Sequence, residues 1–345
     1  MSSQVDEAAS RAQVTAVRIS ASERGYHADV VPMNGGALTR VSDPAGEVLV
    51  RVHHSSLNYK DALALTGAGK VVRRFPCVAG IDLAGEVVAS SSEAYRPGQL
   101  VLATGYDLGT AHDGGLATHA RLPARWLVPL PAALSSFEAM CLGTAGFTAA
   151  LAIERMEAMD CEPSRGPVVV SGATGGVGSL AIDMLAGRGY EVAALTGKLG
   201  NEPMLSALGA RQLLDRHTVT SSKALDTGRW AGGIDNLGGP YLAWMLATAL
   251  PGAVVASVGN AAHASLTTTV FPFILRGVSL LGIDSAYCPA ARRERVWSRL
   301  ALDLRPRSLG QFVKTLALSQ VIEASRMLLA GTNTGRFVVD LTREA

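Results

Sequence analysis

The feature that most constrains how this sequence folds is a glycine-rich turn that follows a short apolar run. Val168-Val169-Val170 leads into Ser-Gly-Ala-Thr-Gly-Gly-Val-Gly at residues 171–178, and the residues after the turn have helical spacing. Backbone without Cβ atoms lets a pyrophosphate approach the N–H groups at a helix start, where the partial positive charge suits an anion. A second apolar run at 191–197 lies about twenty residues beyond the turn, as such a site requires. The sequence therefore predicts a dinucleotide-binding turn, in preference to a merely tight turn.

The patterns on either side of this turn differ and predict two domains. Before residue 130, short β-type runs alternate with Gly, Pro and Asp, which indicates a mostly-β domain. From residue 166, apolar strands alternate with helices, which is typical of a parallel sheet covered on both faces. The predicted fold is α/β, a mostly-β domain plus a doubly wound Rossmann domain. We expect a disordered tail at 1–12, the mostly-β domain at 13–138 and 287–345, and the Rossmann domain at 139–286.

Composition narrows the functional class. The chain is 48% hydrophobic and 17% charged, has 37 glycines and carries a formal net charge of +2, which is a globular profile. No cluster of Lys and Arg forms a basic face, so we expect no nucleic-acid partner. No apolar stretch has the length of a membrane span and the N-terminus lacks the pattern of a signal peptide, so we expect no membrane contact and a cytoplasmic location. The four cysteines are far apart and are expected to be reduced thiols.

The stretch Glu-Val-Ala-Ala-Leu-Thr-Gly-Lys at 191–198 decides between the two nicotinamide dinucleotides. An acid at the end of this strand would bind the ribose hydroxyls of NAD, but here Thr196, Gly197 and Lys198 follow the apolar run. A hydroxyl, a glycine and a cation suit a 2′-phosphate, which favours NADP. Arg216, just past the next strand, is a possible second phosphate contact. The alternative is that Lys198 and Arg216 are solvated surface residues.

Several longer motifs resemble the medium-chain dehydrogenase/reductase superfamily, and within it the zinc-independent acryloyl-CoA reductase branch of the quinone-oxidoreductase-like proteins. The resemblance covers residues from about 45 to the end. Its motifs include SSLNYKDALALTGAGK (55–70), FPCVAGIDLAGEV (75–87), GTAGFTAA (143–150) and FPFILRGVSLLGIDS (271–285), of which SSLNYKDALA in the first and the whole of the last are long and specific.

The resemblance also indicates that this chain holds no metal. Zinc members carry Gly-His-Glu where this chain has Gly80-Ile81-Asp82, and the cysteine spacing of a structural zinc lobe is missing. Without a Lewis acid, oxidation of an alcohol loses its usual means of stabilising an alkoxide. Reduction of an activated carbon–carbon double bond remains open, because hydrogen-bond donors can hold an enolate.

Members of this branch use NADPH to reduce acryloyl-CoA to propanoyl-CoA, have a GroES-like catalytic domain plus a Rossmann domain, and are usually homodimers. The resemblance implies the same for this chain and carries the family's Ser-Gly-Arg phosphate contacts onto Thr196, Gly197 and Lys198. Lysine keeps the charge but loses the bidentate fork of arginine. The full set of cofactor contacts that it implies is Tyr59, Thr174, Gly175, Gly176, Val177, Thr196, Gly197, Lys198, Arg216, Asn260, Ile274, Ser285 and Arg336.

The candidate catalytic residues are Tyr59 and Asn58. The phenol of Tyr59 could donate to an enolate, or it could pack against the nicotinamide; Asn58 could equally stabilise the turn. Asp61 is expected to cap the helix that follows, and Asp82 to order the loop around Tyr59.

Three arginines are candidates for binding the phosphates of a CoA substrate, namely Arg276, Arg292 and Arg293. The alternative for these arginines is a solvated helix face or a structural ion pair.

Two other functions stay open. One is reduction of quinones or free enones on the same scaffold, which would need no CoA contacts. The other is a non-catalytic NADPH-binding regulator, which a basic stripe with aromatic residues would support. Aromatic residues make up only 5% of the chain and no such stripe is visible.

Overall fold

The computed structural model describes residues 2–23, 25–40, 43–219 and 223–343. The strands, in chain order, are β1 (Gln13–Ser22), β2 (Gly25–Asn34), β3 (Glu47–Leu57), β4 (Cys77–Val78), β5 (Asp82–Ser90), β6 (Leu100–Thr104), β7 (His119–Pro123), β8 (Val128–Pro129), β9 (Val168–Ser171), β10 (Val192–Thr196), β11 (Ala210–Asp215), β12 (Trp230–Asp235), β13 (Ala249–Ser257), β14 (Ser279–Gly282), β15 (Val313–Leu316) and β16 (Arg336–Asp340). The α-helices are α1 (Ser2–Arg11), α2 (Tyr59–Thr66), α3 (Ser136–Glu157), α4 (Gly176–Gly187), α5 (Glu202–Ala207), α6 (Gly239–Ala247), α7 (Phe271–Arg276), α8 (Ala290–Ala301) and α9 (Val321–Leu329).

The chain divides into two compact units. The first comprises Met1–Thr144, Ala286–Arg295 and Gly310–Ala345, and the second comprises Ala145–Ser285 and Val296–Leu309. The division corrects the expected return of residues 287–345 to the first domain, because Val296–Leu309 belong to the second unit. Within that unit Trp297 is fully buried and its ring stacks on Phe147 at a centroid distance of 6.2 Å.

The first unit is mostly β, as the sequence predicted. Its larger sheet has seven strands in the order β15-β16-β3-β5-β6-β8, with β7 paired to β3, and most of the pairs are antiparallel. A smaller sheet has the order β2-β1-β4. The core of the unit is built from β-branched and other aliphatic side chains, among them Val48, Val50, Leu83, Val101 and Val339. Strand β16, near the C-terminal end of the chain, pairs with β3 so that Phe337 lies opposite Leu57. Helix α2 begins two residues after Leu57.

The first residues of the chain are not a disordered tail, and this expectation is wrong. They form α1, in which Val5 and Ala9 are fully buried against Ala16, Leu49 and other aliphatic residues. Asp6 on the same helix accepts a hydrogen bond of 2.7 Å from the buried guanidinium of Arg121. Apolar burial and an ion pair to a buried cation thus order a segment whose polar sequence suggested disorder.

The second unit contains the predicted Rossmann sheet. Its six strands are parallel and have the order β11-β10-β9-β12-β13-β14. Strands β9, β10 and β12 are short, buried and mostly apolar, as the sequence predicted for a sheet covered on both faces. In chain order this is the 3-2-1-4-5-6 arrangement, whose order reverses between β9 and β12. Ligands of such sheets bind at the carboxyl ends of the strands beside that reversal, and the glycine turn after β9 lies there.

Helix α3 begins at a capping box and contains a sharp break. The Ser135 backbone N–H donates to Glu138 Oε2 over 2.9 Å, and the Glu138 N–H donates to Ser135 Oγ over 3.2 Å. Gly143 lies inside the helix with φ 50° and ψ −154°, values that interrupt the helical ladder. Among the described residues α3 is long and apolar enough to cross a membrane, but most of it is buried inside the protein. It is therefore a core helix.

Candidate functional site

The glycine turn has the geometry of a phosphate-binding loop. Gly172, at the carboxyl end of β9, has φ 59°, a value that favours glycine, and its carbonyl accepts the Gly175 N–H over 2.9 Å. Gly175 then caps α4. A Cβ atom on Gly178 would lie 2.3 Å from the Gly172 carbonyl oxygen, so glycine alone lets α4 pack this closely against the turn. The twelve-residue helix points its first N–H groups toward the turn, as an anion site requires. Thr174 is buried within the turn.

The second cluster of this unit gathers the residues at the end of β10 with Arg216. Thr196 Oγ1 accepts the Lys198 backbone N–H over 3.0 Å. A Cβ atom on Gly197 would lie 2.6 Å from Arg216 Nε, so the guanidinium lies directly over this glycine. Burial and the nearby charge of Arg216 lower the pKa of Lys198. Arg216 Nε is buried and has no hydrogen-bond acceptor among the described residues. Two neighbouring cations and a buried donor without an acceptor fit a phosphate.

The remaining predicted cofactor contacts of this unit lie on other segments of the chain. Ser285 follows β14, and its Oγ accepts a hydrogen bond of 2.8 Å from Thr148 Oγ1. Asn260 is exposed in the segment after β13. Ile274 on α7 is 68% exposed. Gly176 and Val177 form the first turn of α4. These assignments stay predictions.

In the first unit, Asp82 lies at the centre of a buried polar network. Its carboxylate accepts hydrogen bonds from Ser56 Oγ, from Asn58 Nδ2 over 2.8 Å and from the Thr144 backbone N–H over 2.7 Å. The Thr144 hydroxyl donates to the other carboxylate oxygen. Asp82 itself is fully buried. Asp82 therefore ties β3, β5 and the break in α3 to the loop that starts α2.

Arg336 completes this network from β16. Its Nη1 donates to Asn58 Oδ1 over 2.9 Å, and its Nε donates to the Cys141 carbonyl over 3.2 Å. The side chain is buried, and burial lowers its pKa from the ordinary value, although the charges of Asp82 and Asp61 oppose that shift. Asn58 is thus held on one side by Arg336 and on the other by Asp82. Because Asn58 directly precedes α2, these hydrogen bonds fix the position at which the helix begins with Tyr59.

Asp61 caps α2, as expected, but it also belongs to the buried network. One carboxylate oxygen accepts the Asn58 N–H over 2.8 Å and the other accepts the Ile81 N–H over 2.9 Å. Burial, reinforced by the charge of Asp82, raises the pKa of Asp61 to about 7. The carboxyl groups of Asp61 and Asp82 thus both accept hydrogen bonds from Asn58 Nδ2, and the charges of both act on the guanidinium of Arg336.

Gly143 allows this network to close. A Cβ atom there would lie 2.5 Å from both Asp82 Oδ2 and Ser56 Oγ and 2.7 Å from Arg336 Nη2. Its φ of 50° is also one that side-chain-bearing residues rarely adopt.

We expect Gly143→Ala to lower the free energy of unfolding by about 2–5 kcal/mol, because backbone strain adds to the clash. The matched control is Gly189→Ala, where φ is 86° but no atom lies within 4 Å of the new Cβ. The control should cost about 1–2 kcal/mol from strain alone. Denaturant unfolding measures both, and equal losses would show that the network tolerates a methyl group.

Tyr59 is the first residue of α2 and is 44% exposed. Its buried neighbours Asn58 and Asp61 belong to the network, whereas its phenol reaches solvent. The predicted assignment of Tyr59 as proton donor or cofactor contact stays a prediction.

Two of the three arginines expected to bind the phosphates of CoA donate hydrogen bonds to acceptors of the protein itself. Arg276 donates to the carbonyl oxygens of Ala247 and Ala249 over 3.0 and 2.7 Å, and also to that of Asp226. Arg293 is 1% exposed, donates to Thr104 O and Oγ1, and lies 4.4 Å from the centre of the Tyr106 ring. The Arg293 assignment is corrected, because this side chain is inaccessible, whereas Arg276 is only partly buried and stays a candidate. Arg292 is exposed and stays a candidate.

Several members of the network could not be predicted from local sequence patterns. Ser56 and Thr144 are small hydroxyl residues, and only the fold places them against Asp82. Gly143, a glycine inside a helical pattern, was a signal that could have been read as a break near a functional residue.

Comparison with known proteins identifies the class. Residues 44–132 match the alcohol dehydrogenase GroES-like domain. The chain is 47% identical to acrylyl-CoA reductase AcuI of Ruegeria pomeroyi over 86% of this chain and 91% of that protein. The yhdH oxidoreductase of Salmonella enterica in complex with NADP has a TM-score of 0.89 and 44% identity, covering 94% of this chain and 99% of that one. The yhfP protein of Bacillus subtilis with NAD bound has a TM-score of 0.91 and 41% identity, covering 96% and 100%.

The GroES-like match, the parallel six-stranded sheet and its glycine turn define a medium-chain dehydrogenase/reductase. The chain belongs to the zinc-independent, quinone-oxidoreductase-like members of this superfamily, in the branch that contains acrylyl-CoA reductase AcuI.

Proposed function

We propose that this protein reduces the carbon–carbon double bond of acryloyl-CoA with NADPH and releases propanoyl-CoA. The observation that carries the proposal is the 47% identity to an acrylyl-CoA reductase along most of both chains. The glycine turn of the second unit would bind the cofactor, and the polar network around Asn58 would position the residue that acts on the substrate.

NADPH fits the residues of the second unit. The glycine turn with the start of α4 would hold the pyrophosphate, and Lys198 with Arg216 would hold the 2′-phosphate. The buried Nε of Arg216, which has no acceptor among the described residues, supports the second contact. One relative in this branch has been crystallised with NADP and another with NAD, so the two cations here are the feature that favours NADP in this chain.

When bound, NADPH would supply a hydride to the β-carbon of the substrate and leave as NADP+, and negative charge would develop on the thioester oxygen. A proton from water would then reach the α-carbon and complete propanoyl-CoA. A donor lowers the barrier if it binds this enolate better than the neutral thioester. We assign that donation to the Tyr59 phenol, which is exposed at the start of α2. Asn58 acts as a positioning residue, because Arg336 and Asp82 hold its amide from two sides over 2.9 and 2.8 Å.

Tyr59→Phe should lower kcat by about 10²–10³-fold, the range that loss of one donor to a developing oxyanion usually gives, and leave the Kd for NADPH nearly unchanged. Stopped-flow reduction and fluorescence titration measure the two quantities. Tyr241→Phe, a half-buried tyrosine of the second unit, is the matched control. Unchanged turnover in Tyr59→Phe would remove this residue from the chemistry.

A reductase of quinones or free enones is the second candidate. The observation that favours it is the burial of Arg293, one of the three expected CoA contacts, against the internal acceptors of Thr104. Oxidation of NADPH with acryloyl-CoA, crotonoyl-CoA and a simple quinone, compared by kcat/KM, separates the candidates. Acryloyl-CoA should give the highest value, and a higher value for the quinone would favour the alternative.

We further propose that the protein is a homodimer. Exposed apolar side chains on and just before α7 support this: Val270 is 61% exposed, Ile274 68% and Leu275 63%. Strand β14 is close in sequence and pairs only with β13 among the described strands. An apolar patch beside an open sheet edge is a favourable surface for a second copy.

Light scattering should give the mass of a dimer for the wild type and of a monomer for Leu275→Asp; a wild-type monomer would exclude the proposal.

The proposed location is the cytoplasm. Cys77, Cys141 and Cys161 are buried free thiols. Burial raises the pKa of Cys77 and of Cys141 to about 12, so these thiols stay protonated and unreactive. Unpaired thiols of this kind are usual in a reducing compartment.

A further inference from the structure

The carboxyl ends of β9 and β12, on either side of the point where the strand order reverses, are joined by side chains as well as by the sheet. Ser171 is the last residue of β9, and Asp235 is the last residue of β12. Ser171 Oγ donates to Asp235 Oδ1 over 2.7 Å. The same Oγ accepts the backbone N–H of Asn236 over 2.8 Å, and the Asn236 side chain donates from Nδ2 to the Ser171 carbonyl over 2.6 Å.

Asp235 extends these contacts into the loop after β12. Its carboxylate accepts the backbone N–H groups of Leu237 over 3.2 Å and of Gly238 over 2.8 Å. Asp235 and Ser171 are both fully buried, and among the described residues the groups that act on the Asp235 carboxylate are the Ser171 hydroxyl and two backbone N–H groups, with no cation. A buried carboxylate without a cation is costly unless hydrogen bonds satisfy it, so each of these donors constrains the geometry.

These contacts end directly at the glycine turn. Gly172 follows Ser171 and turns the chain with φ 59° toward the start of α4. A Cβ atom on Gly172 would lie 3.2 Å from the Cβ atom of Asn236, so the Asn236 side chain lies against the turn itself. Asn236 is only partly buried, whereas Ser171 and Asp235 are inaccessible. A shift of β9 against β12 would therefore change the direction of the N–H groups that follow Gly172.

We propose that Ser171, Asp235 and Asn236 form a side-chain lock that sets the glycine turn for the pyrophosphate of the nicotinamide cofactor. They are positioning residues, which act on the cofactor through the turn. The inference rests on the proposed NADPH binding. It goes beyond it, because it assigns pyrophosphate affinity to three residues that lie outside the glycine motif and outside the 2′-phosphate cluster.

The lock and the 2′-phosphate cluster make different predictions for different ligands. NADPH and NADH share the pyrophosphate, so Asn236→Ala and Ser171→Ala should each raise the Kd for both by a similar factor of about ten. A ligand that has the 2′-phosphate but no pyrophosphate, 2′-AMP, should bind to either variant as it does to the wild type. Calorimetry or fluorescence titration gives each Kd without turnover.

The matched control is Thr248→Val. Thr248 is as buried as Ser171 and donates from Oγ1 to the Trp244 carbonyl over 2.7 Å, but it precedes β13 at the amino ends of the strands. The control should lower thermal stability about as much as Ser171→Ala while leaving the Kd for NADPH unchanged. Asn236→Ala, at a partly exposed position, provides a second variant if Ser171→Ala folds poorly.

Three outcomes are distinguishable. A parallel rise in the Kd for NADPH and NADH, with unchanged binding of 2′-AMP, supports the lock. Lower thermal stability with unchanged Kd values in both lock variants would overturn it and leave these residues with a structural role only. If the wild type binds neither dinucleotide, the proposed function itself fails, and the lock fails with it.

Discussion

Replacing Arg336 with leucine is expected to lower the free energy of unfolding by about 3–5 kcal/mol, the usual cost of removing one member of a buried charged group. The side chain is buried and faces the charges of Asp82 and Asp61, and leucine would leave two buried carboxyl groups without a cation. Asn58 would also lose its 2.9 Å hydrogen bond from Nη1. Turnover should therefore fall along with stability, because the start of α2 that carries Tyr59 is no longer fixed.

Denaturant unfolding at fixed pH measures this loss. Arg326→Leu is the matched control, because Arg326 pairs with Glu323 at 2.9 Å but both side chains are largely exposed. An exposed pair contributes about 0–1 kcal/mol, so the control should stay close to the wild type. Similar stability in the two variants would mean that the charges around Asp82 are balanced by other groups.

Lys198→Asp is expected to reduce the preference for NADPH over NADH, measured as the ratio of kcat/KM, by about 100-fold. A hydrogen bond to a charged group contributes about 1.5–3 kcal/mol, and each 1.4 kcal/mol corresponds to a factor of ten. The substitution also places a carboxylate beside the 2′-phosphate, whereas NADH has a ribose hydroxyl there that a carboxylate can accept. The NADPH KM should rise, and the NADH KM should change little.

Arg211→Asp controls for the change in net charge. Arg211 is exposed near the amino end of β11, whereas Arg216 follows the carboxyl end of the same strand. The control variant should keep the wild-type ratio. An equal effect of Lys198→Asp on the two dinucleotides would mean that this lysine is a solvated surface residue.

Most of the fold was predictable because buried parallel strands leave a clear pattern. The runs at Val168–Ser171 and Val192–Thr196 are continuous, small and apolar, and each ends at a turn residue. Helix α1 was not predictable in the same way, since only a few apolar residues, such as Val5 and Ala9, interrupt a polar sequence. Its order comes from contacts with strands that lie far away in the chain.

The candidate sites divide in the same way. Strand ends in a parallel sheet meet at one edge, so spacing alone predicts that four residues lie close together: Thr196, Gly197, Lys198 and Arg216. Arg293 was misassigned because its neighbours Arg292, Glu294 and Arg295 have the pattern of a solvated helix. Only the tertiary structure places Thr104 and the Tyr106 ring against it. The Asp82 network likewise joins residues from β3, β5, α3 and β16, and no local pattern encodes such a set.

The most direct test of the central claim is the product of a single reaction. The purified protein would be incubated with acryloyl-CoA and NADPH that carries deuterium at the transferred position of nicotinamide C4, and the thioester product analysed by mass spectrometry and NMR. The proposed function predicts propanoyl-CoA with one deuterium at the β-carbon. Unchanged acryloyl-CoA would contradict it. So would propanoyl-CoA that has no deuterium at the β-carbon when each of the two C4 positions of the nicotinamide is labelled in turn.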